Sequence, residues 1–145
     1  MESMWKKLKE WYWRSRYLNN PHTRILNIVH NDNTTTEHLD LIFEKYKSRD
    51  YVCSALSRHP NTSSKVLEEI SNIPDGWYSD WNIHSLHYWV VVHPNVPLKA
   101  LENIAHFDCE FVRHKIRQNP KCTEELALLI KAYEFKRNHI YSLSK

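Results

Sequence analysis

Apolar residues fall in short clusters at three- and four-residue steps, and each cluster stops at a proline or an aspartate. Ile25 and Ile28 precede Asp32, Val52 and Leu56 precede Pro60, Leu86 and Val90 precede Pro94, and Val112 and Ile116 precede Pro120. A second cluster follows each anchor: Leu39 and Ile42, Leu67 and Ile70, Leu101 and Ile104, then Leu126 with Leu129 and Ile130. Steps of this size place side chains on one face of a helix, so the pattern predicts a helix, a tight turn and a second helix, repeated. The anchors are 28, 34 and 26 residues apart, the range of stacked helical repeats. One phrase is nearly duplicated: RHPNTSSKVLEEI, Arg58 to Ile70, returns as VHPNVPLKALENI, Val92 to Ile104.

The turns carry matching chemistry. Pro60, Pro94 and Pro120 push the preceding residue away from the helical region and end the first helix of their units. Asn20 before Pro21 reads as a helix start, and Thr34 with Glu37 has the spacing of a capping box. Thr62 or Ser63, and Thr123, stand at comparable places in later copies. His59 and His93 are therefore read as parts of a structural phrase rather than as catalytic groups.

The phrases LSRHPNTSSKVLEEIS, VVVHPNVPLKALENIAHFD and FVRHKIRQNPKCTEELALLI resemble the variant leucine-rich repeat over residues 20 to 132. The fourth copy is the most faithful, with Val112, Arg113, Ile116, Asn119, Pro120, Thr123 and Leu126 in the motif positions. The first departs most, with Arg24 at a usually apolar position and Asp32 in place of proline. The resemblance implies a right-handed superhelix of paired helices, similar to HEAT-type solenoids, in which a short 3-10 turn often replaces the second helix. Some members of that family carry a cysteine-rich iron–sulfur module, and no such cluster occurs here.

Composition narrows the class. Gly76 is the only glycine in 145 residues, which disfavours hairpins, phosphate-cradling loops and dinucleotide folds. Cys53, Cys109 and Cys122 are odd in number and lack CxxC spacing, so they imply neither a disulfide framework nor a zinc ribbon. No apolar run is long enough to span a bilayer, and the N-terminus lacks the uninterrupted apolar core of a secretory signal. The expectation is a cytoplasmic, all-α protein of one domain: a right-handed α-solenoid of about four helix-turn-helix repeats over 20–132, with an N-terminal cap helix over 1–19 and a C-terminal helix or tail over 133–145.

Charge is segregated. Residues 1–24 hold six Lys/Arg against two acids, residues 25–112 six against twelve, and residues 113–145 eight against three. Basic ends thus flank an acidic middle, which disfavours one long basic groove for nucleic acid.

Candidate functional residues lie where the chain departs from its own repeat. The longest interval contains Asp75, Gly76, Trp77, Tyr78, Asp80 and Trp81. Insertions in solenoids often emerge on the binding face, and Trp and Tyr are frequent interface anchors, so Asp75, Trp77, Tyr78, Asp80 and Trp81 are expected to contact a protein partner. The alternative is that Trp77 and Trp81 fold back to cover the core. In the N-terminal segment, Met4, Leu8, Trp11 and Tyr12 form an apolar stripe opposite Lys6, Lys7, Lys9, Arg14 and Arg16, as a capping helix requires. A nucleic-acid interface is the competing function, built from those five cations with Arg113, Lys115, Arg117, Lys136 and Arg137. Membrane-surface binding by the N-terminal helix is disfavoured by its shortness.

His84, His87 and His93, and His106 with Cys109 and His114, lack the paired spacing of a structural metal site, and no metal or cofactor is assigned. No GxSxG, HExxH or glycine-rich phosphate loop is present, so no catalytic residue and no small-molecule substrate is assigned. The expected function is non-catalytic protein–protein binding, as a stand-alone adaptor or an inhibitor of a larger complex.

Overall fold

A computed structural model describes residues 22–74, 83–107 and 109–143, together with Met4, Lys6, Lys7, Lys9 and Glu10. The eight helices α1 (His22–Val29), α2 (Thr36–Tyr46), α3 (Asp50–Arg58), α4 (Ser64–Ser71), α5 (Ile83–Val92), α6 (Leu98–Ala105), α7 (Glu110–Gln118) and α8 (Glu124–Leu143) contain all the regular structure of those three segments. The protein is all-α, with no strand among the described residues.

The apolar clusters become the core. Each cluster residue named above is buried except Leu129, and Leu39, Val52, Leu56, Leu67, Ile70, Val90, Leu101, Ile116 and Ile130 are fully enclosed. Helix α1 packs on α3, α3 on α5 and α5 on α7, while α4 packs on α6. Helices that touch are thus two elements apart in the chain as well as adjacent, the pairing expected when each unit must hide its apolar face against the next. The element after each of the four turns, α2, α4, α6 and α8, is an α-helix and not a 3-10 turn.

The turns explain the duplicated phrase. His59 and Asn119, each before a proline, have extended backbone (φ −76°, ψ 129° and φ −71°, ψ 130°), which ends α3 and α7. His59 Nδ1 accepts the backbone N–H of Asn61 at 3.0 Å, so Nε2 carries the proton and donates it to the Asn31 carbonyl at 2.7 Å. His93 repeats both contacts one unit later, accepting from Asn95 N–H at 3.0 Å and donating to the His59 carbonyl at 2.6 Å. Asn119 does the same work with an amide, accepting from Lys121 N–H at 2.9 Å and donating to the Val91 carbonyl at 2.7 Å.

The third residue of each phrase makes the next rung. Asn61 Nδ2 donates to the Asp32 and Thr34 carbonyls (3.1 and 2.9 Å), and Asn95 Nδ2 donates to those of Pro60 and Thr62 (3.3 and 3.1 Å). Lys121 Nζ reaches the corresponding carbonyls of Pro94 and Val96 at 3.2 and 2.7 Å. In return Thr36 Oγ1 donates forward to the Asn61 carbonyl and Ser64 Oγ to that of Asn95. Turn carbonyls that would otherwise lie unpaired between units are satisfied by this ladder.

The cap of α2 lies one residue later than the sequence spacing predicted, and that of α4 falls on the second of the two residues named. Thr35, not Thr34, caps α2 by accepting His38 N–H, and Ser63 caps α4 by accepting Val66 N–H. Thr34 and Thr62 are buried and donate back to the Ile28 and Leu56 carbonyls, both at 2.6 Å, closing the end of the preceding helix. Two adjacent hydroxyl residues divide two tasks, which the spacing rule cannot resolve. Thr123 caps α8 as expected, accepting Leu126 N–H at 3.2 Å. Asn20 and Pro21 lie outside the described residues.

The last helix crosses residue 132, the expected end of the repeats. Helix α8 runs unbroken for 20 residues, because Lys131 to Leu143 holds neither proline nor glycine to stop it.

Burial lowers the pKa of His93 from its ordinary value of 6.5; the bond to the His59 carbonyl opposes this shift, and His59 and Lys121 add to it. The unfolded chain then takes up the proton more readily than the folded one, so His93 stabilises the fold fully above its ordinary value. That contribution is lost as pH falls below the ordinary value towards the lowered one. Urea midpoints of the wild type and His93→Asn between pH 8 and about 5 will show the wild type losing more stability on acidification. Parallel profiles would exclude this residue as the cause.

Candidate functional site

The side chains that point away from the core on α3, α5 and α7 stand at corresponding places before each proline anchor. In α5 Trp89 and Val92 are exposed and Tyr88 is partly buried against the core, because IHSLHYWVVV is apolar over most of its circumference. Trp89 is 37% exposed, Val92 40% and Phe111, at the start of α7, 54%. These residues form one connected strip. The Arg58 guanidinium lies over the Trp89 ring at 5.5 Å, and Trp89 meets Tyr88 edge-on at 5.3 Å. Tyr88 stacks on Phe111 at 5.8 Å, and Lys115 Nζ lies over Phe111 at 5.7 Å. Three helices from three successive units thus contribute a row of aromatic faces with a cation at either end. Each exposed cation–π contact contributes about 0.5–1 kcal/mol and each ring pair about 0.5–1.5 kcal/mol, so the rings are held in place before a partner arrives.

On the other side of α7 lies a cavity of about 430 Å³ between the end of α6, α7 and α8. Its polar wall is His106, Arg113, Tyr133, Lys136 and Arg137, and Ile140 supplies apolar surface. The Tyr133 hydroxyl and His106 Nδ1 share a hydrogen bond of 2.6 Å. Arg113 is only 4% exposed and donates to the Phe107 carbonyl at 3.0 Å. Glu134 lies 3.9 Å from Arg113 Nε and accepts from Arg117 at 2.8 Å.

The residues expected from sequence are distributed unevenly over these features. Asp75, Trp77, Tyr78, Asp80 and Trp81 lie outside the described residues, as do Arg14 and Arg16. Lys6, Lys7 and Lys9 are helical and exposed, and Met4, expected on the inward stripe, is 74% exposed. The cations assigned to a nucleic-acid interface do not share one face. Lys115 belongs to the outer strip, Lys136 and Arg137 line the cavity, Arg117 is paired with Glu134, and Arg113 is enclosed and therefore withdrawn from any phosphate backbone.

Two of the histidines considered as metal ligands bond backbone carbonyls. His93 holds the ladder, while buried His87 donates from Nε2 to the Ile73 carbonyl at 2.9 Å and lies tilted against the Phe107 ring at 4.5 Å. Among the described residues, no group of three His, Cys, Asp or Glu side chains is placed to hold a metal ion. Burial pushes the Cys122 thiol up, the direction opposite to a reactive or metal-binding thiolate, with Arg117 only partly offsetting it. No described helix is long and apolar enough to cross a membrane.

The strip was missed in the sequence although a signal for it exists. Counted back from the proline anchors, Trp89 stands where the other units have Ala55 and Lys115, and Phe111 stands where they have Tyr51 and Ser85. The chain matches no protein-family model, no curated protein and no solved structure.

Proposed function

We propose that this chain is a non-catalytic binding module: a right-handed α-solenoid of the variant leucine-rich or HEAT-like kind, working in the cytoplasm as an adaptor or as an inhibitor that occupies a surface of a larger protein. The observation that carries this reading is the strip Arg58, Trp89, Tyr88, Phe111 and Lys115. Trp, Tyr and Arg are the residues that dominate binding energy at protein interfaces, and here they are pre-ordered by contacts among themselves. The stacking of odd-numbered helices and the ladder between turns support the solenoid assignment, since both repeat from unit to unit. Asp75, Trp77, Tyr78, Asp80 and Trp81 are proposed to extend the same interface, because their segment leads directly into the helix that carries Trp89. The two terminal cations of the strip favour a partner with carboxylates flanking an apolar anchor.

Binding of single-stranded nucleic acid is the second reading, because alternating rings and cations also stack on bases. It is the weaker one, since among the described cations assigned to it Arg113 is enclosed, Arg117 is paired with Glu134, and Lys136 and Arg137 lie on another side of α7 from Lys115. Affinity capture from host extract by the wild type and by the double variant Trp89→Ala/Phe111→Ala, with and without nuclease, separates the readings. The expected result is a protein partner that survives nuclease and whose affinity falls about tenfold or more in the variant, as loss of interface anchors requires. Both rings are part-exposed, so thermal unfolding of the variant should remain cooperative. Equal capture by wild type and variant would overturn the strip, and loss on nuclease treatment would transfer the function to nucleic acid.

A further inference from the structure

Helix α8 has 20 residues and carries apolar side chains on two opposite faces. On one face Leu126 and Ile130 are buried in the core, and Tyr133 and Glu134 continue that face towards His106 and Arg117. The other face holds Leu128, Ala132, Phe135, His139 and Leu143, at steps of four, three, four and four residues. Leu128, Phe135 and Leu143 are 65%, 75% and 74% exposed, and the Phe135 ring lies parallel to that of His139 at 6.3 Å. A terminal solenoid unit needs a polar outer face to stay soluble. This one is apolar, and steps of three and four residues are those of a seam between two helices.

Past residue 137 the described side chains of α8 are all exposed, yet the helix continues to Leu143. A helical end without a packed face is marginal in water, so covering the seam would stabilise this segment. Charge along α8 indicates what covers it. The first turn is acidic, with Glu124 and Glu125, while Lys131, Lys136 and Arg137 make the second half basic, where Glu134 is bonded to Arg117. Two copies of α8 aligned in parallel would set like charges side by side. Aligned antiparallel, the acidic start of each faces the basic half of the other. Shape agrees with charge, because small Ala132 and large Phe135 stand one step apart at the middle of the seam. In a two-fold pair a contact between residues 132 and 135 is made twice, so each ring meets a small residue. We propose that α8 is a self-association helix: two copies of this chain pair antiparallel along Leu128, Ala132, Phe135 and His139, with Ala132 of each copy receiving Phe135 of the other.

None of these residues belongs to the strip on α3, α5 and α7, so a dimer carries two strips. Two linked strips raise the apparent affinity for a partner that repeats its own binding segment. That consequence rests on the strip; the pairing itself does not. One helix seam is smaller than the roughly 800 Å² per partner of a standard interface, so the dimer is expected to be weak, with a dissociation constant of about 1–100 µM.

The test is sedimentation equilibrium of the full chain across the micromolar range. The expected result is a monomer–dimer equilibrium with no larger species, since a two-fold pair closes on itself. Phe135→Ala removes the anchor and Ala132→Phe overfills the middle of the seam, so each should weaken the dimer by about tenfold or more. The double variant Ala132→Phe/Phe135→Ala exchanges ring and small residue, which still meet in an antiparallel pair, and should recover most of the wild-type affinity. Both positions are exposed in the monomer, and helical content by circular dichroism will confirm that all three variants fold. Trp89→Ala/Phe111→Ala should dimerise like the wild type, which separates failure of the pairing from failure of the strip. A monomer at every concentration, a dimer undiminished in Phe135→Ala, or a double variant no better than Ala132→Phe would each overturn the pairing. Phosphatidylcholine–phosphatidylserine vesicles are tested alongside: pelleting of the wild type but not of Phe135→Ala would assign this face to a lipid surface and overturn it as well.

Discussion

Replacing His93 with alanine is expected to lower the stability of the fold by about 2–4 kcal/mol, because it removes two buried hydrogen bonds and leaves their partners behind. The His59 carbonyl loses the donor at 2.6 Å, and the Asn95 N–H loses the acceptor that shapes the turn. The loss also reaches beyond one turn, since His59 itself is held to Asn31 and Asn95 to Pro60 and Thr62. A stability of about 5–15 kcal/mol is usual for a domain, so this one side chain accounts for a sizeable share. The chain supplies its own rescue: Asn119 and Asn31 occupy the same position in their units, and Asn119 reaches back to the carbonyl of Val91. His93→Asn should therefore recover more than half of the loss, with the amide reaching the Ser57 carbonyl, the residue that corresponds to Val91. Urea midpoints of the wild type and the two variants measure this, and an asparagine no better than alanine would show that packing of the ring, not the ladder, is what matters.

Truncation of Arg113 is the second large effect. Its guanidinium bonds the Phe107 carbonyl and lies beside Glu134, and the residue as a whole is only 4% exposed. Arg113→Ala removes the donor, the charge and the packing together, and should cost about 2–4 kcal/mol. Arg113→Met keeps most of the volume and should cost clearly less, with the remaining deficit measuring the unpaired Phe107 carbonyl and the weakened hold on Glu134. Arg117→Met serves as the reference: its side chain is 30% exposed, so its bond to Glu134 should contribute about 1 kcal/mol or less. Denaturant midpoints of the three variants decide the order, and an Arg117 effect as large as that of Arg113 would contradict the distinction between an enclosed and a solvated pair.

Much of the architecture was legible in the chain because the forces that produce it are local and periodic. The inward residues Val52, Leu56, Leu67, Ile70, Leu101 and Ile104 announced their faces through spacing, and the prolines announced the helix ends through steric exclusion of the preceding residue. The errors were of one residue or one side chain. Thr34 was read as a cap although Thr35 is, because two hydroxyls in a row satisfy the same pattern. Leu129 was read as core although it is 38% exposed on α8. Arg113 was placed with the surface cations because charge normally means exposure, and only the neighbouring carbonyl and Glu134 make its enclosure possible.

The candidate sites were far less legible than the helices. Arg58, Trp89, Tyr88, Phe111 and Lys115 are spread over 58 positions of the sequence and become a strip only when α3, α5 and α7 lie side by side. The cavity likewise needs α8 to lie against the ends of α6 and α7. By itself the sequence determined the helical class, the unit length and the turn phrase, since helical periodicity, proline sterics and side-chain capping act within a few residues. Only the tertiary structure decided that His59 and His93 bridge successive turns, that Arg113 is interior, and which aromatic and cationic side chains meet. Those outcomes depend on contacts between residues about thirty positions apart, whose pairing is set by how whole helices bury their apolar faces against one another.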